Sequence, residues 1–239
     1  MDNLKKNIFN LTKEDLKFFL IENNFDAYRS EQIWNWLYVK GIRNFSEMKN
    51  ISNDLKKILE EKFFIEFLNH SKCFKSKDGT IKWLFKLKDK REVETVFIPE
   101  KKRGTICVSS QVGCTLSCSF CHTGTMKFIR NLEMSEIIGQ LLTVKHYLTD
   151  WKKTEEKKVT NIVFMGMGEP LFNYKNVLDS INVMTDEKGL ALSKRKVTLS
   201  TSGVVPKIEE FKLEKDINLA ISLHAVFDNV RNELVPINR

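Results

Sequence analysis

The chain has 239 residues, 42% of them hydrophobic and 29% charged, an ordinary globular composition long enough for one large core or two smaller ones. Its formal net charge of +8 suits a polyanionic partner. No run approaches the ~18 apolar residues of a membrane-spanning helix, and the charged start MDNLKKNIFNLTKED contains no apolar signal region, so a cytoplasmic protein without membrane contact is expected.

Residues 1 to about 68 read as helical. Thr12 and Asp15 have the spacing of a capping box ahead of the apolar face Leu16, Phe19 and Leu20. A second helix begins near Ser30, carries Ile33, Trp34 and Leu37, and ends before Gly41, where a C-cap glycine belongs. A third helix is predicted over roughly 52–67. The period then changes to that of strands. Lys77-Asp78-Gly79-Thr80 is a hairpin turn, after which Ile81, Trp83, Phe85 and Leu87 alternate with Lys82, Leu84, Lys86 and Lys88. Asp89-Lys90-Arg91 turns the chain into a returning strand, Glu92 to Ile98, which Pro99 is expected to stop. The lysines of this region read as a solvated face or as a grip on nucleic acid. Residues 1–98 are therefore assigned to a helical accessory domain with a β-hairpin and an RNA-contacting role, and residues 99–239 to the catalytic core.

Strands and helices alternate from there on, as in a parallel α/β domain. Strands are expected at Thr105–Gln111, Val159–Met165, Lys196–Ser202 and Ile217–Leu223, and helices at Ser135–Leu148, Asn176–Met184, from Pro206 and from near Asn229. Lys152 to Lys158 reads as a solvated charged loop. The fold class is α/β, a partial (β/α) barrel of about four strand–helix units.

Four of the five cysteines lie within Cys107–Cys121, and three of those, Cys114, Cys118 and Cys121, follow the spacing C-x3-C-x2-C. So tight a run in a reduced compartment points to metal. A cubane iron–sulfur cluster on three cysteines leaves one iron without a protein ligand. That iron can chelate the amino and carboxylate groups of S-adenosylmethionine (SAM), whose cleavage to a radical is chemistry a protein takes from a cofactor. A structural zinc site needs a fourth ligand, which Cys107 or His122 could supply. Strands two to four of the core end in Gly166-Met167-Gly168-Glu169-Pro170, Ser200-Thr201-Ser202-Gly203 and Ser222-Leu223-His224. Carboxyl ends of barrel strands are where sites form, so these residues belong around the cysteine loop. Leu171 and Pro170 argue against a dinucleotide fingerprint.

The segments CVSSQVGCTLSCSFC, RNLEMSEIIGQ, GMGEPL, TLSTSGVVP, LAISLHA and VETVFIP together resemble the radical SAM superfamily, in its RlmN group of dual-specificity RNA methyltransferases, across essentially the whole chain. The resemblance implies methylation of carbon 2 of one adenosine in 23S rRNA and one in tRNA, with Cfr-type methylation at carbon 8 as the neighbouring alternative and a non-catalytic zinc-stabilised RNA-binding module as the other. It implies a [4Fe-4S] cluster on Cys114, Cys118 and Cys121, and a SAM site lined by Gly168, Glu169, Ser200, Ser222, Leu223 and His224. By the same likeness Glu94 is the proton acceptor and Cys107 resolves a covalent RNA–enzyme adduct. A monomer served by a flavodoxin or ferredoxin electron donor is expected. The pattern breaks in one respect. No cysteine follows Cys121, so the methyl-carrying residue of the family is missing, and full turnover by this chain is not expected.

Overall fold

The computed structural model describes residues 5–151, 156–214 and 216–237. A short strand β1 (Lys6–Asn7) leads into α1 (Lys13–Glu22), whose first turn is closed by the reciprocal Thr12–Asp15 capping box. Helix α2 (Arg29–Asn35) continues through a π-helical turn, Trp36–Lys40, and stops at Gly41, whose φ of +63° is the left-handed C-cap expected there. Helix α3 (Asn53–Lys62) ends earlier than its apolar pattern predicts. Phe63–Phe64 forms strand β2, pairing in parallel with β1 and thereby ending the helix.

Strands β3 (Asn69–Lys75), β4 (Ile81–Lys86), β5 (Glu92–Glu100) and β6 (Arg103–Cys107) follow as an antiparallel meander. Pro99 does not stop β5 as expected. Its cross-strand partner is Gly104 in β6, while pairing with β4 has already ended at Phe97, so on that side no neighbour needs the missing N–H. Next come β7 (Gln111–Val112), β8 (Arg130–Asn131) and α4 (Met134–Tyr147). Three further units, β9 (Asn161–Phe164) with α5 (Tyr174–Thr185), β10 (Val197–Thr201) with α6 (Val205–Glu214), and β11 (Asn218–Ile221) with α7 (Asp228–Leu234), complete the described chain. Pro206 occupies the first turn of α6, as predicted.

One seven-stranded sheet, in the order β11-β10-β9-β6-β5-β4-β3, carries all of this, and β6, β9, β10 and β11 run parallel. These are the four expected strand–helix units. The boundary drawn at residue 98 falls inside β5, and the hairpin strands continue the same sheet. The helical part up to Phe64 stands outside the sheet, yet it shares one apolar core with it: Trp34 and Leu37 from the helices join Trp83 and Phe85 from β4 and Leu141 and Leu142 from α4. Those six side chains are at most 2% exposed, so the two parts bury each other's faces.

Beyond α4 the turn into β9 is organised by Asp150. Its carboxylate accepts the Lys145 ammonium at 2.9 Å and the backbone N–H groups of Lys158 and Val159. Lys158 also donates through Nζ to the Leu148 carbonyl, which a purely solvated loop would not show; residues 152–155 of the predicted charged loop lie outside the described residues. On the same helix, His146 packs edge-on to Phe67 at 4.4 Å and against Trp151 at 5.0 Å. Burial first, then the Arg43 charge, pushes its imidazole down to about 4. A folded-state value below the unfolded one means the native state binds fewer protons. The stability is then fully present above about pH 6.5 and is lost as pH falls towards 4. Urea titrations at pH 7 and pH 4.5 should show the parent losing about 2–3 kcal/mol more than His146→Phe over that interval.

Candidate functional site

Period-two alternation and strand register decide which side chains meet on the sheet. Along β4 and β5, Ile81, Trp83, Phe85, Val93, Thr95 and Phe97 are buried beneath helices, while Lys82, Leu84, Glu94 and Val96 face the other, open side. Cys107 pairs with Val96 and so shares the open face with Glu94. Across the parallel strands the register carries this face through Val163, Thr198 and Ser200 to Ala220. Ser222 lies two residues past Ala220, and the Ser200 and Ser222 hydroxyls stand 3.4 Å apart. The predicted residues of four strands thus converge on one surface. Cys73, the cysteine outside the Cys107–Cys121 run, is exposed on the edge strand β3.

The cysteine loop springs from the end of this face. Pairing of β7 with β8, Gln111 opposite Asn131 and Val112 opposite Arg130, clamps its base. At Gly113 φ is +74° and an added Cβ would sit 2.1 Å from the Lys127 carbonyl oxygen, so the loop crosses itself at a point only glycine allows. Cys114, Cys118 and Cys121 are half-buried and free of disulfides. Burial raises the Cys114 and Cys118 thiols above their ordinary value, and the neighbouring cysteines and Glu169 add like charge to both. Among the described residues no three Cys, His, Asp or Glu side chains close on a point as a single ion requires. Three thiols in electrostatic reach of one another, with a carboxylate beside them, form a donor set that fits a larger cationic group. The loop leans on the last strand–helix unit: the Ser119 N–H donates to the carbonyl of Leu234 at the end of α7, and Phe120 lies 4.3 Å from the ring of His224, just past β11. His224 itself has φ +60°, a left-handed conformation at the end of β11 of the kind that concentrates at functional sites.

Between loop and sheet lies the turn after β9. Gly168 has φ +96°, and a Cβ there would meet Gln111 at 2.4 Å. This close approach lets the Gln111 side-chain oxygen, Oε1, accept the Glu169 N–H at 3.0 Å. Glu169 is buried, with its carboxylate accepting from the N–H groups of Leu171 at 3.1 Å and Ser202 at 2.8 Å. Burial raises its carboxyl, and the groups opposing that shift are neutral donors, with no cation among them. Cys107 is likewise pushed up, to about 11, chiefly by burial and secondarily by the charge of Glu94.

Residues 108–238 match the family model of the radical SAM superfamily. The chain belongs to that superfamily. Residues 6–65 match the ribosomal RNA large subunit methyltransferase N-terminal domain. The chain is similar to the dual-specificity RNA methyltransferase RlmN of Granulibacter bethesdensis, at 46% identity over all of this chain and 62% of the relative. It is also similar to the RlmN of Parvibaculum lavamentivorans, at 50% identity over 96% of this chain and 60% of the relative. The chain therefore spans about three fifths of these relatives. A crystal structure of a radical SAM methyltransferase from Sphaerobacter thermophilus superposes with a TM-score of 0.88 at 35% identity, covering 98% of this chain and 68% of that one.

In this radical SAM core several supporting residues went unread in the sequence. Gln140 of α4 is fully buried. Its carbonyl accepts Thr95 Oγ1 and the Ser109 N–H, both at 2.8 Å, and its amide donates to the Ser109 carbonyl at 3.0 Å. Ser109 Oγ in turn donates to the Glu94 carbonyl at 2.6 Å and accepts the Met167 N–H at 2.9 Å. The Asn173 amide donates to the carbonyls of Ser110 and Leu132, both at 2.8 Å, and Arg231 donates to those of Leu223 and Ser202. A glutamine within the apolar run of α4 was the one available signal. Gln140→Leu removes the amide and leaves the Ser109 N–H and carbonyl and the Thr95 hydroxyl buried without partners. It should cost about 2–4 kcal/mol in urea denaturation, more than Thr95→Val, which removes a single bond.

Proposed function

We propose that this chain forms the cluster-bearing and SAM-binding part of a methyltransferase acting on carbon 2 of an adenosine in 23S rRNA and in tRNA. One observation carries the reading: the cysteine loop, the buried Glu169 and the open-face residues Glu94 and Cys107 lie at the same end of a single sheet. Cys114, Cys118 and Cys121 would hold a [4Fe-4S] cluster with one iron open to SAM. When bound, the cluster supplies the electron that cleaves the SAM sulfonium.

The chain's own residues do the rest. Glu169, held by two backbone N–H groups and lacking an internal cation, is suited to accept from the ligand's ammonium. Gly168 admits the ligand against the backbone. Ser200 and Ser222 offer hydroxyls, and Leu223 and His224 line the rim beside Phe120. Glu94 stands on the open face to take the ring proton. Cys107, held neutral at pH 7 by burial, keeps its thiol proton until the RNA adduct is to be released. The excess of positive charge suits RNA, and a flavodoxin or ferredoxin would supply the electron.

Anaerobic reconstitution followed by iron, sulfide and zinc analysis tests the cluster. The parent and Cys73→Ala should each bind about four irons and four sulfides. Cys114→Ala, Cys118→Ala and Cys121→Ala should bind none stably. One zinc and no sulfide in the parent would replace the cluster with a structural ion. In the reconstituted chain Glu169→Gln should weaken SAM binding about thirtyfold or more by equilibrium dialysis, since it leaves a buried ammonium unpaired. Unchanged affinity would remove Glu169 from the site.

A further inference from the structure

Lys82 was read in the sequence as one lysine of a basic strand face, free to meet phosphate. The structure places it otherwise. Its ammonium lies 3.1 Å from Glu94 Oε1, across the diagonal between β4 and β5. Phe74 of β3, directly opposite Lys82 in register, puts its ring 5.6 Å from the same ammonium. Glu94 is fixed from below by its backbone: its N–H meets Met167 Sδ at 3.4 Å and its carbonyl accepts from Ser109 Oγ. Four adjacent strands thus contribute to one cluster on the open face: Phe74, Lys82 and Cys107 share a register row with Val96, and Glu94, two residues from Val96 along β5, stands diagonal to both Lys82 and Cys107.

The other charges on this face are Lys72 of β3, Lys86 of β4, Glu92 and Glu100 of β5 and Arg103 of β6. Lys86 with Glu92, and Glu100 with Arg103, are cross-strand partners towards opposite ends of β5, and all five are exposed. Beyond Cys107, the described residues of β9 facing the same side are Asn161 and Val163, which carry no charge. Lys82 is therefore the one cation in contact with the Glu94 carboxylate among the described residues, and Glu94 is the charged group acting on Cys107.

We infer that Lys82 is a positioning residue, holding the Glu94 carboxylate against the sheet and balancing its charge where it faces Cys107. The inference rests on the reading of Glu94 and Cys107 as reacting groups, and it adds a residue to which that reading assigns nothing. A long lysine stem pinned between an aromatic face and a carboxylate has fewer places to go than a solvated one, so the carboxylate it holds is oriented before substrate arrives.

The test uses the whole 239-residue chain without metal, RNA or SAM. Iodoacetamide alkylation of Cys107 is followed from pH 8 to 10.5 by peptide mass spectrometry, which reads the five cysteines separately. Removing the cation leaves Glu94 uncompensated beside the thiol, which disfavours the thiolate. Lys82→Gln should therefore slow Cys107 alkylation about threefold or more at fixed pH. Lys82→Arg, which keeps the charge, should restore the parent profile, and Cys73 should alkylate at the parent rate in every variant. In a Glu94→Gln background, Lys82→Gln should lose most of its effect, because the two side chains act as a pair. An unchanged profile in Lys82→Gln, or an equal slowing with and without Glu94, overturns the inference. Because the readout needs no turnover, failure of Glu94 as proton acceptor would leave the pairing result standing. Failure of the pairing would likewise leave the iron content and SAM affinity tests untouched.

Discussion

Register between β5 and β6 is the constraint on which the rest depends. Val96 opposite Cys107 puts Glu94 and the thiol on the open face and sends Thr95, Phe97 and Ile106 into the core. Side chains alternate with a period of two, so a slip of one residue along β5 would bury the Glu94 carboxylate and expose Val93 and Phe97. The cost of burying an unpaired charge and of stripping those side chains from the core both oppose the slip. Chemistry on one face is thus specified by packing on the other.

A polar network secures the same juncture. Gln140, Ser109 and Asn173 bind backbone groups where β6 gives way to the cysteine loop, just past the bond from the Val108 N–H to the Val163 carbonyl of β9. Such groups must be satisfied by side chains once ladder bonds run out. The arrangement explains why polar residues sit under an apolar helix, and why a loop that must present three thiols can still be anchored at its root. Arg231 does the equivalent work across the ends of β10 and β11, tying the Ser202 and Leu223 carbonyls together beneath the site.

Charge at the site follows a consistent pattern. Cys107, Cys114, Cys118 and Glu169 are all shifted towards their neutral forms, and burial is the first cause in each case. Burial thus opposes ionisation at the site. A cationic group arriving at the loop would draw the thiols to thiolate and Glu169 to carboxylate, so binding and deprotonation are coupled. The Glu94–Lys82 pair lies apart from this, half-exposed and neutral as a unit.

Much was legible from the sequence alone. Local signals carried the capping box at Thr12, the C-cap at Gly41, the Asp-Gly hairpin and the four strand–helix units, because each depends on neighbours a few residues away. The C-x3-C-x2-C spacing and the strand ends at Glu169, Ser200 and Ser222 were legible for the same reason. Tertiary structure alone decided three things. It ended α3 at Lys62, through a strand pairing with residues almost sixty positions earlier. It carried β5 through Pro99 and drew the hairpin into the core sheet, because a missing N–H matters only where a neighbour would have bonded it. It turned Lys82 from a surface charge into the partner of Glu94 and made Gln140 a buried tie. Those roles arise from side chains brought together across 12 and 31 residues of intervening chain, a proximity that no local pattern encodes.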